Sequence, residues 1–568
     1  MTDPSQPAPW HQSGIIYQIY PRSFADTNGD GIGDLPGITA RLDYLAELGV
    51  DALWLSPIYP SPDVDFGYDV SDYCDVDPKF GSLHDFDVFV RETHARGMRV
   101  VLDLVLNHTS DQHPWFVESR SSRDNPRRDW YLWRDPAPGG GPPNNWQSVF
   151  GGSGWELDPA TGQYYFHMFY KQQPDLNWHN PDVRQSLLDV FRFWLDRGVD
   201  GFRLDVFNVY FKDADFRPNP PALGIPLYGF SCQRHIYDID RPEMIPLVEE
   251  IRAILDGYEA RDGRPRYVVG ETFISTPQKA AAYCGPKRLH AAFNFDFLNA
   301  PLRARPLLER IQRWEHALDT DLWPNYVLNN HDTPRSATRF DPYRRFPRSV
   351  LPVSPEQRED DTRLKLAAAL LLTLRGTPFI YYGEEIGMRD IPIRAKADVL
   401  DPIGKRFWPF MKGRDGCRSP MQWDAAPLAG FSWGGARPWL PLHPNWEARN
   451  VEAQSADPHS LLNFYRRLIA LRRASPALTG GLFQPITFGT QYILAYLRQT
   501  AQQTVLVALN LSGRRKRLVL GSALAEQHAR GQMRLLLSTH RDTLPPVQRR
   551  NMLPLEPYEA VIIELPSE

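Results

Sequence analysis

Residues 200–208 (DGFRLDVFN) set two charged side chains, Arg203 and Asp205, two positions apart inside an apolar run. In a β-strand, positions i and i+2 project from the same side, so guanidinium and carboxylate face together. A buried carboxylate beside a guanidinium stays ionised at neutral pH, the state a carboxylate nucleophile requires. A structural ion pair at a strand end gives the same local pattern. Other acids stand in comparable places: Glu271 closes RYVVGE (266–271), and Asp332, beside His331, closes NYVLNNHD (325–332). His108 closes RVVLDLVLNH (99–108). Two carboxyl groups facing each other across a sugar cleave glycosidic bonds, and retention of configuration requires them about 5–5.5 Å apart. Asp205 suits the nucleophile. Glu271, backed by the apolar YVVG, suits a proton donor with a raised pKa.

The elements that must position these groups alternate. Short apolar runs at 15–20, 51–59, 99–108, 200–208, 266–271, 291–297, 325–332 and 378–385 read as strands. Segments with helical spacing lie between most of them, at 40–49, 83–96, 182–197, 243–258 and 362–375. Eight strands trailed by helices predict an α/β fold, a (β/α)8 TIM barrel, whose C-terminal strand ends converge on one face. Three acids, two histidines and an arginine at such ends read as a catalytic face rather than scattered structural charge. Residues 109–180, crowded with Trp, Pro and Gly, predict a loop-rich subdomain inserted after strand 3. The barrel then occupies 1–108 and 181–480, with a further insertion near 386–450. From 481 to 568, YILAYLRQ, TVLVALNLS and YEAVIIEL run at strand length without intervening helices and predict a small all-β domain.

A chain of 568 residues, 42% hydrophobic and 23% charged, describes a globular protein of several domains. A net charge of −4 argues against a nucleic-acid partner. The longest apolar run, near Leu366–Leu374, is too short to span a membrane. The polar, proline-rich N-terminus lacks a secretory signal pattern, and four widely spaced cysteines read as reduced thiols; both point to the cytoplasm. In DTNGDGIGDLPGI (26–38), Asp26, Asn28, Asp30 and Asp34 alternate, with the Ile32 carbonyl at the intervening position. That is oxygen-donor spacing for Ca2+ or Mg2+. Gly37 stands where an EF-hand needs a bidentate Glu, so the loop is not an EF-hand, and a solvated turn is the competing reading.

The ordered set DLVLNH, GFRLDVFN, GETF and NNHD resembles the conserved regions of glycoside hydrolase family 13, the α-amylase family, from about residue 14 to the end. QPDLNW (173–178) and GTPFIYYGEEIGM support the resemblance. It implies a C-terminal antiparallel β-sandwich and a retaining mechanism: Asp205 as nucleophile, Glu271 as general acid/base and Asp332 as the carboxylate that grips the sugar. It further implies that Tyr68, Asp69, His108, Arg203 and His331 line the subsite for the non-reducing glucose, with Phe150, Phe169 and Arg418 as wall residues. QPDLNW resembles the oligo-1,6-glucosidase and α-glucosidase branch, exo-acting on short α-glucosides, whose metal loop matches residues 26–34 and holds a structural ion. In that branch Val after the nucleophile goes with α-1,6 cleavage, so Val206 leans that way, although GFRLD followed by VYFKD resembles α-1,4 enzymes that also transfer glucose. Glucosyl transferases and isomerases on the same scaffold are the alternative. Non-catalytic transporter subunits are a remoter one, because here the three acids are intact.

Overall fold

Eight apolar strands lie side by side: β1 (Ile16–Ile19), β2 (Ala52–Leu55), β3 (Arg99–Leu104), β4 (Gly201–Leu204), β5 (Tyr267–Gly270), β6 (Ala291–Ala292), β7 (Asn325–Val327) and β8 (Thr377–Tyr381). They pair in the order β7-β8-β1-β2-β3-β4-β5-β6, with every pairing parallel. The result is a nearly closed barrel, β6 and β7 forming its two ends. The computed structural model describes residues 9–225, 228–293, 295–319, 322–341, 361–486, 491–545 and 551–566. Residues 1–8, which carry most of the N-terminal reading, lie outside them.

Strand alternation sorts the side chains into two sets. Ile16, Trp54, Val101, Tyr267, Val269, Val327 and Phe379 meet in one buried cluster inside the barrel. Their neighbours Tyr17, Leu53, Val100, Leu102, Phe202, Val268 and Ile380 pack in the larger cluster shared with the helices. Both faces are covered, which is why these strands read as continuous apolar runs. Among the helices are α1 (Leu83–Ala95), α2 (Pro181–Asp196), α3 (Met244–Asp262), α4 (Thr362–Thr373) and α5 (Leu461–Ala474). Local chemistry sets their ends. Ser82 and Asp85 form a capping box at the start of α1. Asn180 caps α2, with Pro181 in its first turn, and Gly263 ends α3 at φ 71°.

Most strand expectations are too long: 51–59 is a strand only at Ala52–Leu55, 99–108 only at Arg99–Leu104 and 200–208 only at Gly201–Leu204. AAFNFDF is a strand only at Ala291–Ala292, and Phe295–Leu298 is already helical; Asn294 lies outside the described residues. NYVLNNHD is a strand only at Asn325–Val327. Periodicity does not distinguish short buried strands from the buried turns that follow them. The 40–49 helix is two helices, Leu35–Ala40 and Leu42–Leu48, broken at Arg41.

Between β3 and α2 the chain is less irregular than its composition suggests. It holds a helix (Pro114–Ser121) and a three-stranded antiparallel sheet of Trp133–Arg134, Gln163–Phe166 and Trp155–Asp158. After the barrel comes a five-stranded antiparallel sheet containing Ile493–Gln499, Thr504–Asn510 and Ala560–Leu565. Its Leu506, Ala508 and Ile563 share a core with Leu518, Leu553 and Leu555 of a two-stranded sheet. The alternate residues Val505, Val507 and Ile562 face the barrel's own core instead.

Candidate active site

Backbone hydrogen bonding continues one residue past the strands. The Asp205 N–H donates to the Leu104 carbonyl (2.9 Å), and the Glu271 N–H to the Leu204 carbonyl (2.9 Å). Asp103, Arg203, Asp205, Val269 and Glu271 therefore keep the inward parity set by Val101. Three carboxyl groups converge on one buried guanidinium. Arg203 Nη1 donates to Asp103 Oδ1 (2.7 Å) and Asp205 Oδ1 (2.6 Å), and its Nη2 donates to Glu271 Oε2. The Val206 N–H also donates to Glu271 Oε2 (3.3 Å).

The charge balance of this cluster corrects one expectation. Burial pushes Asp205 up, the nearby Asp103 adds to it, and the charge of Arg203 opposes both. An arginine beside Asp205 is thus not sufficient to keep it ionised, because one positive charge serves three acids. Glu271 is pushed up to about 8, first by burial and then by Asp205 and Asp332, against the pull of Arg203. A single proton on Glu271 leaves Asp103 and Asp205 as anions on Arg203. A carboxyl that keeps its proton beside one that loses it is the division an acid and a nucleophile would need.

Asp332 is held differently. Burial opposes its ionisation, but the charges of His331, Arg414 and Arg418 outweigh that and keep it well below the usual carboxylate range. Burial pushes His331 itself down to about 3, so the two arginines are what persist at neutral pH. Arg418 Nη2 donates to Asp332 Oδ1 (2.9 Å), and Arg414 Nη1 donates to the same oxygen (3.4 Å). Asp332 is a fixed anion.

A cavity of about 1790 Å³ opens over these groups, lined by Tyr68, His108, Phe150, Phe169, Asp205, Val206, Glu271, His331 and Asp332. The Tyr68 ring stacks on His331 (centroids 5.1 Å apart), and its hydroxyl donates to Asp103 Oδ2 (3.0 Å). His108 Nε2 lies 2.9 Å from the Tyr68 carbonyl and 3.1 Å from Gln173 Nε2. QPDLNW is the clamp behind that wall. Gln173 also donates to Asp65 Oδ2 (3.3 Å), buried Asp175 pairs with buried Lys212, and Trp178 Nε1 donates to the Leu106 carbonyl (2.9 Å).

Three expected contact residues do not line the cavity: Arg203 lies buried beneath its three acids, and Asp69 and Arg418 are set back in other ways. Asp69 is buried under its own loop, accepting from Ser61 Oγ (2.8 Å) and from the amides of Val64 and Asp65 (2.9 Å each). Asp65 lines the cavity in its place. Arg418 is fully buried and reaches the site through Asp332, whereas Arg414 lines the wall and joins Asp65, Asp332 and Asp401. The signals for Asp65, Asp103 and Arg414 were present: a second acid in DFGYD, a charge inside the run RVVLDL, and the first residue of RDGCRSPMQW.

In the 26–34 loop the acids turn onto their own backbone. Asp26 accepts from the amides of Gly29 (2.7 Å) and Gly31 (2.8 Å), and Asp34 from those of Thr27 (2.9 Å) and Gly37 (2.6 Å). Asn28 Oδ1 accepts from the Asp30 amide (2.9 Å), and Asp30 Oδ1 from the Ile32 amide (2.8 Å). Among the described residues, no three His, Cys, Asp or Glu side chains are gathered as a metal cluster. All four cysteines are free thiols. Among the described residues, no helix is long and apolar enough to cross a membrane.

The chain is similar to proteins of known class. Residues 18–481 match the alpha amylase catalytic domain family. A probable alpha-glucosidase of Rhizobium meliloti is 46% identical over 89% of this chain and 89% of its own. An oligo-1,6-glucosidase of Parageobacillus thermoglucosidasius is 40% identical over 89% of this chain and 90% of its own. The crystal structure of an alpha-glucosyl transfer enzyme, XgtA, superposes with a TM-score of 0.88 at 40% identity, covering 99% of this chain and 100% of that one. A barrel with paired carboxylates at its strand ends and these relatives lead to one conclusion: the chain belongs to the α-amylase family of glycoside hydrolases, in its oligo-1,6-glucosidase and α-glucosidase branch.

Proposed function

We propose that the protein is a retaining, exo-acting α-glucosidase that releases terminal non-reducing glucose from short α-glucosides, with a lean towards α-1,6 linkages. The observation that carries this reading is the single guanidinium of Arg203 bonded to both Asp205 and Glu271, which fixes the two carboxyls close to each other. Glu271, protonated at neutral pH, donates its proton to the leaving oxygen. Asp205 attacks the anomeric carbon, and the glycosidic C–O bond breaks as the ester forms. Glu271, now a carboxylate, takes a proton from water, whose oxygen displaces Asp205. Asp332, Tyr68, His108, His331 and Asp65 are placed to grip the glucose, with Phe150 and Phe169 as apolar walls.

Transfer to a sugar instead of water uses the same intermediate, and the likeness to the alpha-glucosyl transfer enzyme XgtA supports carrying it as the second reading. The loop of Asp26, Asn28, Asp30, Ile32 and Asp34 is proposed to hold a structural Ca2+ or Mg2+. Its donors are all hard oxygens. The Asp26 oxygens and Asp30 Oδ1, each bonded to one amide, retain a lone pair, whereas both Asp34 oxygens accept more than one bond. The deciding experiment is a panel of maltose, isomaltose, sucrose, trehalose and nitrophenyl α-glucoside, with products separated and the first-formed glucose anomer read by NMR. First-formed α-glucose with isomaltose turned over faster than maltose is expected; β-glucose first would overturn retention.

A further inference from the structure

β4 and β5 are joined by a regular parallel ladder. The Tyr267 N–H donates to the Asp200 carbonyl (3.0 Å) and the Glu271 N–H to the Leu204 carbonyl (2.9 Å). One step further, that pattern would set the Phe273 N–H on the Val206 carbonyl and the Val206 N–H on the Glu271 carbonyl. Neither bond forms. Val206 turns to φ 34°, its carbonyl accepts from the Val209 N–H (3.1 Å), and its own N–H meets the Glu271 carboxyl instead. A side chain fills the vacated place. Asn208, fully buried, accepts the Phe273 N–H on Oδ1 (2.7 Å) and donates from Nδ2 to the Phe273 carbonyl (2.9 Å). Nδ2 also donates to Asp240 Oδ1 (2.9 Å), and the Asn208 carbonyl accepts the Asp240 N–H (2.8 Å). Beside it, Phe207 lies so close over Gly270 that a Cβ there would stand 2.2 Å from the ring. Backbone groups facing a buried side chain need a partner there, and Asn208 supplies the one that Val206 withdraws.

We propose that Asn208 is a positioning residue for the acid step: it stands in for the strand partner that Val206 gives up, and so keeps the Val206 N–H aimed at the Glu271 carboxyl. This rests on the reading of Glu271 as proton donor. Asn208 does not line the cavity. It lies three residues after Asp205, and Phe273 two after Glu271, so their pairing fixes the spacing of the two loops that carry the carboxyls. The charged groups around Glu271 are Arg203 and Asp205 at the end of β4 and Asp332 after β7, with Asp103 of β3 behind Arg203. Asn208 carries no charge, so its removal acts on Glu271 through position.

The test compares wild type, Asn208→Ala and Asn208→Ser as full-length proteins, by pH profiles of kcat/KM for isomaltose and for nitrophenyl α-glucoside. A hydrogen bond to a carboxylate favours its anion. Losing the Val206 contact is therefore expected to move the alkaline limb up from about 8 by roughly one pH unit. At neutral pH kcat/KM for isomaltose should fall about tenfold or more, and that for the nitrophenyl glucoside much less. Asn208→Ser, small enough to admit a water beside Phe273, covers the case in which the Ala variant unfolds, and should move the limb the same way. Tyr283→Phe removes a bond to Asp240 Oδ1 (3.2 Å) but spares the Phe273 pair, and should leave the limb in place. A limb that stays put in the Asn208 variants, or moves equally in Tyr283→Phe, overturns the proposal. So does an equal fall on both substrates, or unfolding of both Asn208 variants, since the residue is then structural. A wild-type profile without an alkaline limb, or near-normal isomaltose turnover by Glu271→Gln, overturns the acid assignment itself.

Discussion

The Val206 N–H donates to the Glu271 carboxylate over 3.3 Å, from a residue held at φ 34° and ψ 39°. The turn immediately after the proposed nucleophile is therefore shaped so that its amide meets the proposed acid. A β-branched residue is unfavourable in that conformation, and strain of this kind persists where surrounding contacts over-determine it. Val206 links the two carboxyls through its backbone and lines the cavity with its side chain.

Its side chain can be altered without relieving the turn. Val206→Thr keeps the branched shape and adds a hydroxyl group at the wall. It is expected to raise the maltose-to-isomaltose ratio of kcat/KM on the order of 10-fold, the scale at which one small group in a pocket discriminates. An unchanged ratio in paired progress curves would remove Val206 as the linkage determinant.

The two carboxyls are expected to be separable by kinetics. Glu271→Gln lowers kcat/KM for isomaltose roughly 10²–10⁴-fold, the usual contribution of a positioned acid. It lowers kcat/KM for a nitrophenyl glucoside much less, because that leaving group needs no proton, although kcat falls too since the water step loses its base. Asp205→Asn abolishes both reactions. Far-ultraviolet circular dichroism should match the wild type in each variant, and near-normal turnover by either would displace the assignment.

The pH profile follows from one proton in the cluster. Above about 8 Glu271 loses it, and protonation of the leaving group fails; as pH falls, Asp205, itself pushed up by burial, gains one and the nucleophile is lost. kcat/KM for isomaltose should be bell-shaped with its alkaline limb near 8, and Glu271→Gln assayed with the nitrophenyl glucoside should lack that limb. The stability sign is also defined. A carboxyl raised on folding binds more protons in the folded state, so its contribution to stability falls as pH rises towards 8. The Gln variant should accordingly gain Tm relative to wild type above that pH.

Asp175 and Lys212 form a fully buried pair that fastens the segment between β3 and α2 to the loop after β4. Lys212 also donates to Asn107 Oδ1 (2.7 Å), next to His108. Lys212→Met leaves Asp175 buried without its counter-charge and should cost about 3–5 kcal/mol in urea unfolding. The double variant Lys212→Met, Asp175→Leu should recover part of that loss.

If the 26–34 loop holds its ion, dialysis against EDTA should lower Tm, and Ca2+ or Mg2+ should restore it by mass action. Asp30→Ala should remove the metal response while leaving kcat in place, because the ion takes no part in bond cleavage. Elemental analysis of the dialysed protein checks occupancy independently.

Much of this architecture was legible because strand parity is rigid. Arg203 and Asp205 had to share a side, and the structure adds Asp103 and Glu271 to that same side through neighbouring strands. The proton balance was not legible, since it depends on how many acids meet one guanidinium, a property of the assembled barrel. Nor was the choice between Asp65 and Asp69. Both flank the same Gly67 turn, and only the folded loop shows that Asp69 satisfies backbone amides while Asp65 meets Arg414. The extent of β6 escaped for a related reason: the alternation of aromatic and polar residues in AAFNFDF imitates a strand through the start of the helix.

Arg414 joins the loop after β2 to the loop after β7 and to Asp401 beyond β8. Such a bridge braces one side of the cavity, and on the exo-acting reading proposed above a saccharide would enter by its tip and leave before its shortened remainder returned. During partial digestion, a uniform pool of longer oligomers would then spread into a ladder of products differing by single units, with the average length falling gradually and no mid-sized fragments appearing early.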